Sequence, residues 1–106
     1  MTDKDTIQEA ISRLIEAAHP SRLILFGSHA TGETTEESDL DLLVIEREVS
    51  NKIHEMIRLR RALKGLDISI DLLVVSEKEA HDWGHLPGSV LYWALREGRT
   101  VYEAAH

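Results

Sequence analysis

The sequence of 106 residues contains no cysteine, two prolines and few aromatic residues. The absence of cysteine excludes a disulfide-stabilised scaffold, a thiol nucleophile and any cysteine-ligated zinc or iron–sulfur centre. Basic residues are also scarce: 12 lysines and arginines stand against 19 acidic residues, which gives a formal net charge of −7. This balance argues against a protein that coats DNA or RNA, and against docking on an anionic membrane surface.

Long apolar runs are missing as well. No stretch approaches the length of a membrane span, and the first residues lack the apolar run behind a basic start that marks a signal peptide. The hydrophobic content of 42% with 29% charged residues is that of an ordinary globular protein. We therefore expect a single domain spanning residues 1–106 and a cytoplasmic location.

Helical and strand-like segments alternate along the chain. A capping-box pattern at Thr2 and Asp5 opens a helix that should end at His19, because Pro20 disfavours the helical conformation of its predecessor. The alternation predicts a mixed α/β (α+β) fold in which helices flank a small mixed sheet of three to four strands. The other predicted elements are strands at 22–26, 38–45 and 68–75, helices opened by Ser50, Ser76 and Ser89, and an extended tail at 99–102.

The middle helix and the last quarter of the chain each leave two interpretations open. The helix after Ser50 is predicted to pack through Ile53, Met56, Ile57 and Leu63. Its polar side is either solvated or a surface for an acidic partner or nucleotide phosphates, and carries Lys52, Arg58, Arg60, Arg61 and Lys64. The late aromatic residues either complete a small core or form a partner or dimer surface: Trp83, Tyr92, Trp93 and Tyr102.

Acidic residues concentrate between Glu33 and Glu48, where seven of them stand against one arginine. Asp39 and Asp41 are two apart in a predicted apolar strand, so both side chains point to one face. Asp71 is a similar exception in the third predicted strand. If these strands are neighbours, three carboxylates converge, and hard oxygen ligands suit Mg²⁺, with Mn²⁺ as the alternative ion. The other interpretation is a strand-entry turn in which one aspartate is solvated.

A glycine-containing loop, Gly27-Ser28-His29-Ala30-Thr31-Gly32, follows the first predicted strand. Glycine lets backbone N–H groups approach a phosphate, and the Ser28 hydroxyl can donate to a phosphate oxygen. The loop is neither a Walker A motif nor a GxGxxG fingerprint. By itself it indicates either a phosphate cradle or an ordinary turn.

The combination is more specific than its parts. Gly27-Ser28, then Ser38-Asp39-Leu40-Asp41, then an aspartate in a later apolar strand resembles the signature of the DNA polymerase β nucleotidyltransferase superfamily. The small size and the stretch at 91–102 are similar to its minimal nucleotidyltransferase (MNT) branch. The resemblance implies a polymerase β palm-like fold and Mg²⁺-dependent transfer of AMP from ATP to a hydroxyl group, with release of pyrophosphate.

The resemblance also implies roles for individual residues. The catalytic, metal-binding carboxylates, which would hold two Mg²⁺ ions, are Asp39, Asp41 and Asp71. The nucleotide- and phosphate-binding residues are Gly27, Ser28, Ser38 and His29. His29 departs from the pattern, because such families often place an arginine directly after the serine. It is therefore either a pH-dependent phosphate contact or a solvent-facing histidine.

A minimal module needs its acceptor supplied by another molecule. In the MNT family that partner is typically a HEPN-domain ribonuclease toxin, so the resemblance implies an antitoxin that acts by adenylylating (AMPylating) a tyrosine of the toxin. One alternative is a module that neutralises its partner by contact alone. Another is a small-molecule nucleotidyltransferase of the antibiotic-modifying kind. We expect no stable binding to nucleic acid or membrane, and the sequence leaves open whether the chain forms homo- or hetero-oligomers.

Overall fold

The computed structural model describes residues 4–27 and 40–104. Helix α1 (Lys4–Ala18) ends where the sequence predicts, because His19 leaves the helix in the left-handed region with φ 46° and Pro20 follows. The His19 backbone N–H still donates to the Ile15 carbonyl at 3.0 Å and closes the last turn. The helix buries a stripe at helical spacing, formed by Ala10, Ile11, Leu14 and Ala18.

The other elements in the described residues are β1 (Arg22–Phe26), β2 (Leu40–Glu46), α2 (Lys52–Ala62), β3 (Ile70–Ser76), α3 (Glu77–Trp83), α4 (Val90–Glu97) and β4 (Arg99–Glu103). The four strands form one sheet in the order β3-β2-β1-β4. β1 pairs antiparallel with β2 and β4, whereas β2 and β3 are parallel and are joined across α2. The predicted mixed sheet with flanking helices is confirmed, and the predicted extended tail is its fourth strand.

Capping side chains fix where the last three helices begin. Ser76 and Ser89 cap α3 and α4 as predicted, each accepting a backbone N–H from three residues later. For α2 the prediction of Ser50 is wrong by one residue. Asn51 is the cap, and its side-chain oxygen accepts the His54 N–H at 3.0 Å. Asparagine and serine are comparable N-caps, so adjacent candidates compete and backbone geometry selects one.

The sheet separates two apolar layers. Helices α1 and α2 cover one face, whose buried residues include Leu14, Leu42, Val44, Leu59 and Val74. Helix α4 covers the other face, where the buried residues are Ile24, Leu43, Ile45, Val75, Leu91 and Ala94. Strand β2 contributes alternate residues to both layers, which explains its nearly unbroken apolar sequence. Among the described residues, no helix has the length and apolar character needed to cross a membrane.

Helix α2 turns a different face inward from the predicted one. Leu59 is fully buried, Leu63 is buried just past the helix end and Met56 is half-buried. In contrast, Ile53 is 69% exposed and Ile57 is 45% exposed. The predicted packing face was therefore wrong for the two isoleucines. The stripe at i, i+3 and i+7 through Met56, Leu59 and Leu63 meets the sheet and α1, and this rotation turns Ile53 and Ile57 outward.

This rotation predicts unequal costs for two truncations on one helix. We expect Leu59→Ala to lower the free energy of unfolding by about 2–5 kcal/mol, because it opens a cavity in the apolar layer between the sheet and helices α1 and α2. Ile53→Ala, on the exposed side, should change it by only about 0.5 kcal/mol. Urea denaturation followed by circular dichroism measures both values. Similar losses for the two variants would contradict the observed orientation of α2.

Candidate functional site

Two of the predicted carboxylates lie side by side at one end of the sheet. Asp41 in β2 and Asp71 in β3 are direct partners in the parallel register. On its other side, Asp41 is the antiparallel partner of Phe26 at the end of β1. Neighbouring strands are about 4.8 Å apart, and partner residues project to the same face of the sheet. The sequence predicted this convergence only if the two strands are neighbours. In the structure they are neighbours, and Asp41 and Asp71 lie together.

Both carboxylates lie at the border between the apolar layer and solvent. They point to the same sheet face as Leu43 and Val75, which are buried beside α4. Asp41 itself is half-buried, and Asp71 is exposed. The two charges therefore avoid the full desolvation cost that a buried strand suggested, because solvent reaches the end of the strands. This end of the sheet, named here the carboxylate end, can receive a ligand from outside.

Gly27 brings the backbone at the end of β1 against Asp41. Its φ of 74° is in the left-handed region, which glycine adopts without steric cost. A Cβ added to Gly27 would collide with a carboxylate oxygen of Asp41 and would lie 3.1 Å from the Asp41 Cγ. Any other residue must therefore displace the Asp41 side chain as well as adopt a strained backbone. Of the predicted glycine-containing loop the structure describes only Gly27, whose added Cβ would meet the side chain of a predicted metal ligand.

The remaining predicted site residues, Ser28, His29, Ser38 and Asp39, lie outside the described residues. The structure therefore brings together Gly27, Asp41 and Asp71. Within residues 4–27 and 40–104, no three metal-ligating side chains form a cluster. The predicted triad needs Asp39 as its third carboxylate, and the role of Asp39 stays a prediction.

The structure contains a second polar cluster, which the sequence did not indicate. Glu46 ends β2 with a side chain that is nine-tenths buried, and it lines a pocket of about 390 Å³ with Glu55 and Arg58. Arg58 donates to both Glu55 carboxylate oxygens at 2.7 and 2.8 Å, and to the Ala17 carbonyl at 2.6 Å. Glu46 is five residues from Asp41, so about 16 Å of strand separates this cluster from the carboxylate end.

The pKa values of Glu46 and Glu55 are shifted in opposite directions. Burial, with a hydrogen bond to Glu55, raises the pKa of Glu46 to about 8. The Arg58 hydrogen bond, followed by the one to Glu46, lowers the pKa of Glu55 to about 2. Near neutral pH the protonated Glu46 therefore donates to the ionised Glu55, which explains how two acidic residues coexist here. The sequence signal for this cluster is a glutamate, Glu46, at the end of an apolar strand. Its partner Glu55 lies nine residues later in the next helix, so the sequence does not show that the two side chains meet.

The proton that Glu46 holds against Glu55 predicts that stability is lost as pH rises. The folded state binds the Glu46 proton more tightly than the unfolded chain, whose carboxyl has an ordinary pKa of 4.5. Stability should therefore fall as pH rises from about 4.5 to about 8. We expect Glu46→Gln, which keeps a donor for Glu55, to be more stable than the wild type at pH 9 and closer to it at pH 5. Urea unfolding midpoints measure the difference, with the exposed Glu48→Gln as control; an equal gain in both variants would contradict the shared proton.

Comparison with known proteins agrees with this geometry. The sequence matches no curated protein significantly. The structure is similar to a candidate nucleotidyltransferase from Sulfolobus solfataricus, with a TM-score of 0.59 and 19% identity over 96% of this chain and 90% of that one. It is also similar to a toxin–antitoxin structure with AMP-PNP, with a TM-score of 0.65 and 19% identity over 92% of this chain and 73% of that one.

These structural similarities are at low sequence identity, so they establish the fold. The family follows from the sequence itself. Residues 4–97, which include Gly27, Asp41 and Asp71, match the model of a nucleotidyltransferase domain. Members of this family generally use a nucleoside triphosphate and divalent metal ions. The chain belongs to the nucleotidyltransferase domain family.

Proposed function

We propose that this chain is an antitoxin of the MNT type that transfers AMP from ATP to a tyrosine hydroxyl of a HEPN-domain toxin in the cytoplasm. The observation that carries the proposal is the pairing of Asp41 with Asp71 across β2 and β3, beside the left-handed Gly27. The family match supports nucleotidyl transfer. The similar toxin–antitoxin structure, which contains an ATP analogue, supports both a protein partner and an adenine nucleotide.

The donor set fits the metal ions that this reaction needs. Asp41 and Asp71 offer carboxylate oxygens, which are hard ligands of the kind that Mg²⁺ and Mn²⁺ prefer. With Asp39 they would hold two Mg²⁺ ions. When bound, the ions neutralise phosphate charge and lower the pKa of the attacking hydroxyl.

The surrounding residues divide the work between donor and acceptor. Gly27 has no side chain, so its backbone leaves room for the triphosphate, which Ser28, Ser38 and His29 are proposed to contact. Asp41 is half-buried against Gly27, so we assign it to the side of the site that holds the nucleotide. Asp71 is exposed, so an acceptor on another protein can reach it.

The bonds exchanged follow from this arrangement. The tyrosine oxygen bonds to the α-phosphorus while the bond to the bridging α–β oxygen breaks, and pyrophosphate leaves. The tyrosine proton passes to Asp71 or to solvent. No histidine base is required, because the acceptor hydroxyl is acidified where it binds.

Removing either carboxylate charge tests the reaction. We expect Asp41→Asn and Asp71→Asn each to slow AMP transfer by about 100-fold or more, since even the outer partners of metal ligands contribute about 10–100-fold. The assay follows α-³²P label from ATP onto the HEPN protein, and mass spectrometry then locates AMP on a tyrosine. Asp67→Asn, at an exposed carboxylate that precedes β3, is the matched control.

Three outcomes separate the alternatives. Full labelling by Asp41→Asn would refute the assigned site. Neutralisation of the toxin by both Asn variants, without label, would favour an antitoxin that acts by contact alone. Label on a small molecule but not on protein would favour the small-molecule transferase.

The glycine at the end of β1 gives a second test with an internal control. Gly27→Ala and Gly65→Ala both force alanine into the left-handed region, at φ 74° and 93°, and each should lose about 1–2 kcal/mol of stability. A Cβ on Gly65 has no atom within 4 Å, whereas one on Gly27 meets the Asp41 carboxylate. We therefore expect Gly27→Ala alone to lose AMP transfer. Equal activity of the two folded variants would show that the Gly27–Asp41 contact is unimportant.

A further inference from the structure

The exposed side of α2 combines apolar and basic residues. We name as the outer α2 face Ile53, Ile57, Arg60, Arg61 and, just past the helix, Lys64. At 100° per residue, the two isoleucines and the two arginines lie within about 100° of each other, opposite the buried Leu59. Ile53 is more exposed than any other large hydrophobic residue in the described part of the chain. This face was the one that the sequence assigned partly to the core.

The cations of this face differ from the neighbouring basic residues in their ion pairs. Lys52 pairs with Glu79 at 2.6 Å, and Arg58 is bound to Glu55. Among the described residues, Arg60, Arg61 and Lys64 form no ion pair, and the outer α2 face carries no carboxylate. A chain with a net charge of −7 therefore keeps one helix face entirely apolar and basic.

Simpler explanations account for only half of this face. Cations in the last turn of a helix complement its dipole, which explains Arg60 and Arg61 but not the isoleucines, which lie in the first turn and at the middle of the helix. A nucleic-acid surface would also use the cations, but it has no use for Ile53. An amphipathic acidic protein segment matches both parts, since apolar anchors would cover the isoleucines while carboxylates meet the cations.

We propose that the outer α2 face docks an acidic amphipathic segment of the partner protein; the identity of that partner rests on the proposed function. The position of the face suits this role. Helix α2 connects the parallel strands β2 and β3, so it runs opposite to them and its arginine end lies at the carboxylate end of the sheet. A partner bound here would therefore lie at the same end of the sheet as Asp71, which projects from the opposite sheet face, on the α4 side.

Four single variants test the docking surface by their binding to the HEPN-domain toxin of the proposed function. Ile53→Asp and Arg61→Glu alter the outer α2 face. Val90→Asp is the control for the first, because both sites are exposed, at 69% and 62%, in the first turn of a helix, where aspartate is tolerated. Lys78→Glu on α3 is the control for the charge reversal.

We expect Ile53→Asp and Arg61→Glu to weaken binding by about tenfold or more, and the controls to stay within about twofold. Isothermal titration calorimetry measures the affinities, and thermal unfolding confirms that all four variants are folded. Raising the salt concentration should weaken the wild-type complex and change that of Arg61→Glu less.

Several outcomes would overturn the docking surface. Unchanged binding by Ile53→Asp refutes it, and so does a loss confined to Val90→Asp, which would move the interface to the exposed surface of Trp83, Leu86, Val90 and Trp93. Binding of a labelled single-stranded RNA instead of the protein, or self-association abolished by Ile53→Asp, also refutes it. If the wild type labels and binds the HEPN protein and the variants bind it equally well, the docking surface is refuted and the proposed function stands. If the wild type does not bind it, the proposed function fails too.

Discussion

The parallel pairing of β2 with β3 is the constraint on which the rest of the molecule depends. It places Asp41 opposite Asp71, and a shift of one residue would turn one of the two carboxylates to the other face of the sheet. The register is held by the residues that follow, because β2 is buried on both sides and its apolar partners in β3 must stay in their layers. Core packing along the strands therefore sets the geometry at their polar end.

The antiparallel strand β1 adds the second half of the site. It brings its end, and Gly27, to the same place where β2 and β3 begin. The two strand directions in this sheet thus put a turn and two carboxylates at one end. The cluster of Glu46, Glu55 and Arg58 lies at the opposite end of β2, where it links the strand to α2.

The sequence predicted most of the fold, and the sheet face of the aspartates, for identifiable reasons. Alternation in a strand gives the face of each aspartate, and Pro20 gives the end of α1, because both are local effects. The adjacency of β2 and β3 is not local, so the convergence of Asp41 and Asp71 could be stated only as a condition. The inward face of α2 was misjudged because two apolar stripes share the helix and only contact with the sheet selects between them.

The position of β3 in the sheet has a consequence for solubility. In the described residues β3 is an edge strand, and its sequence from Ile70 to Val75 is apolar except for Asp71. Such a strand is a template for association between copies, and a single charge on it is a common protection. The carboxylate at this position would therefore be retained in a descendant that had lost all enzymatic activity. An acidic residue at position 71 of a relative would therefore not by itself support the catalytic role proposed for Asp71.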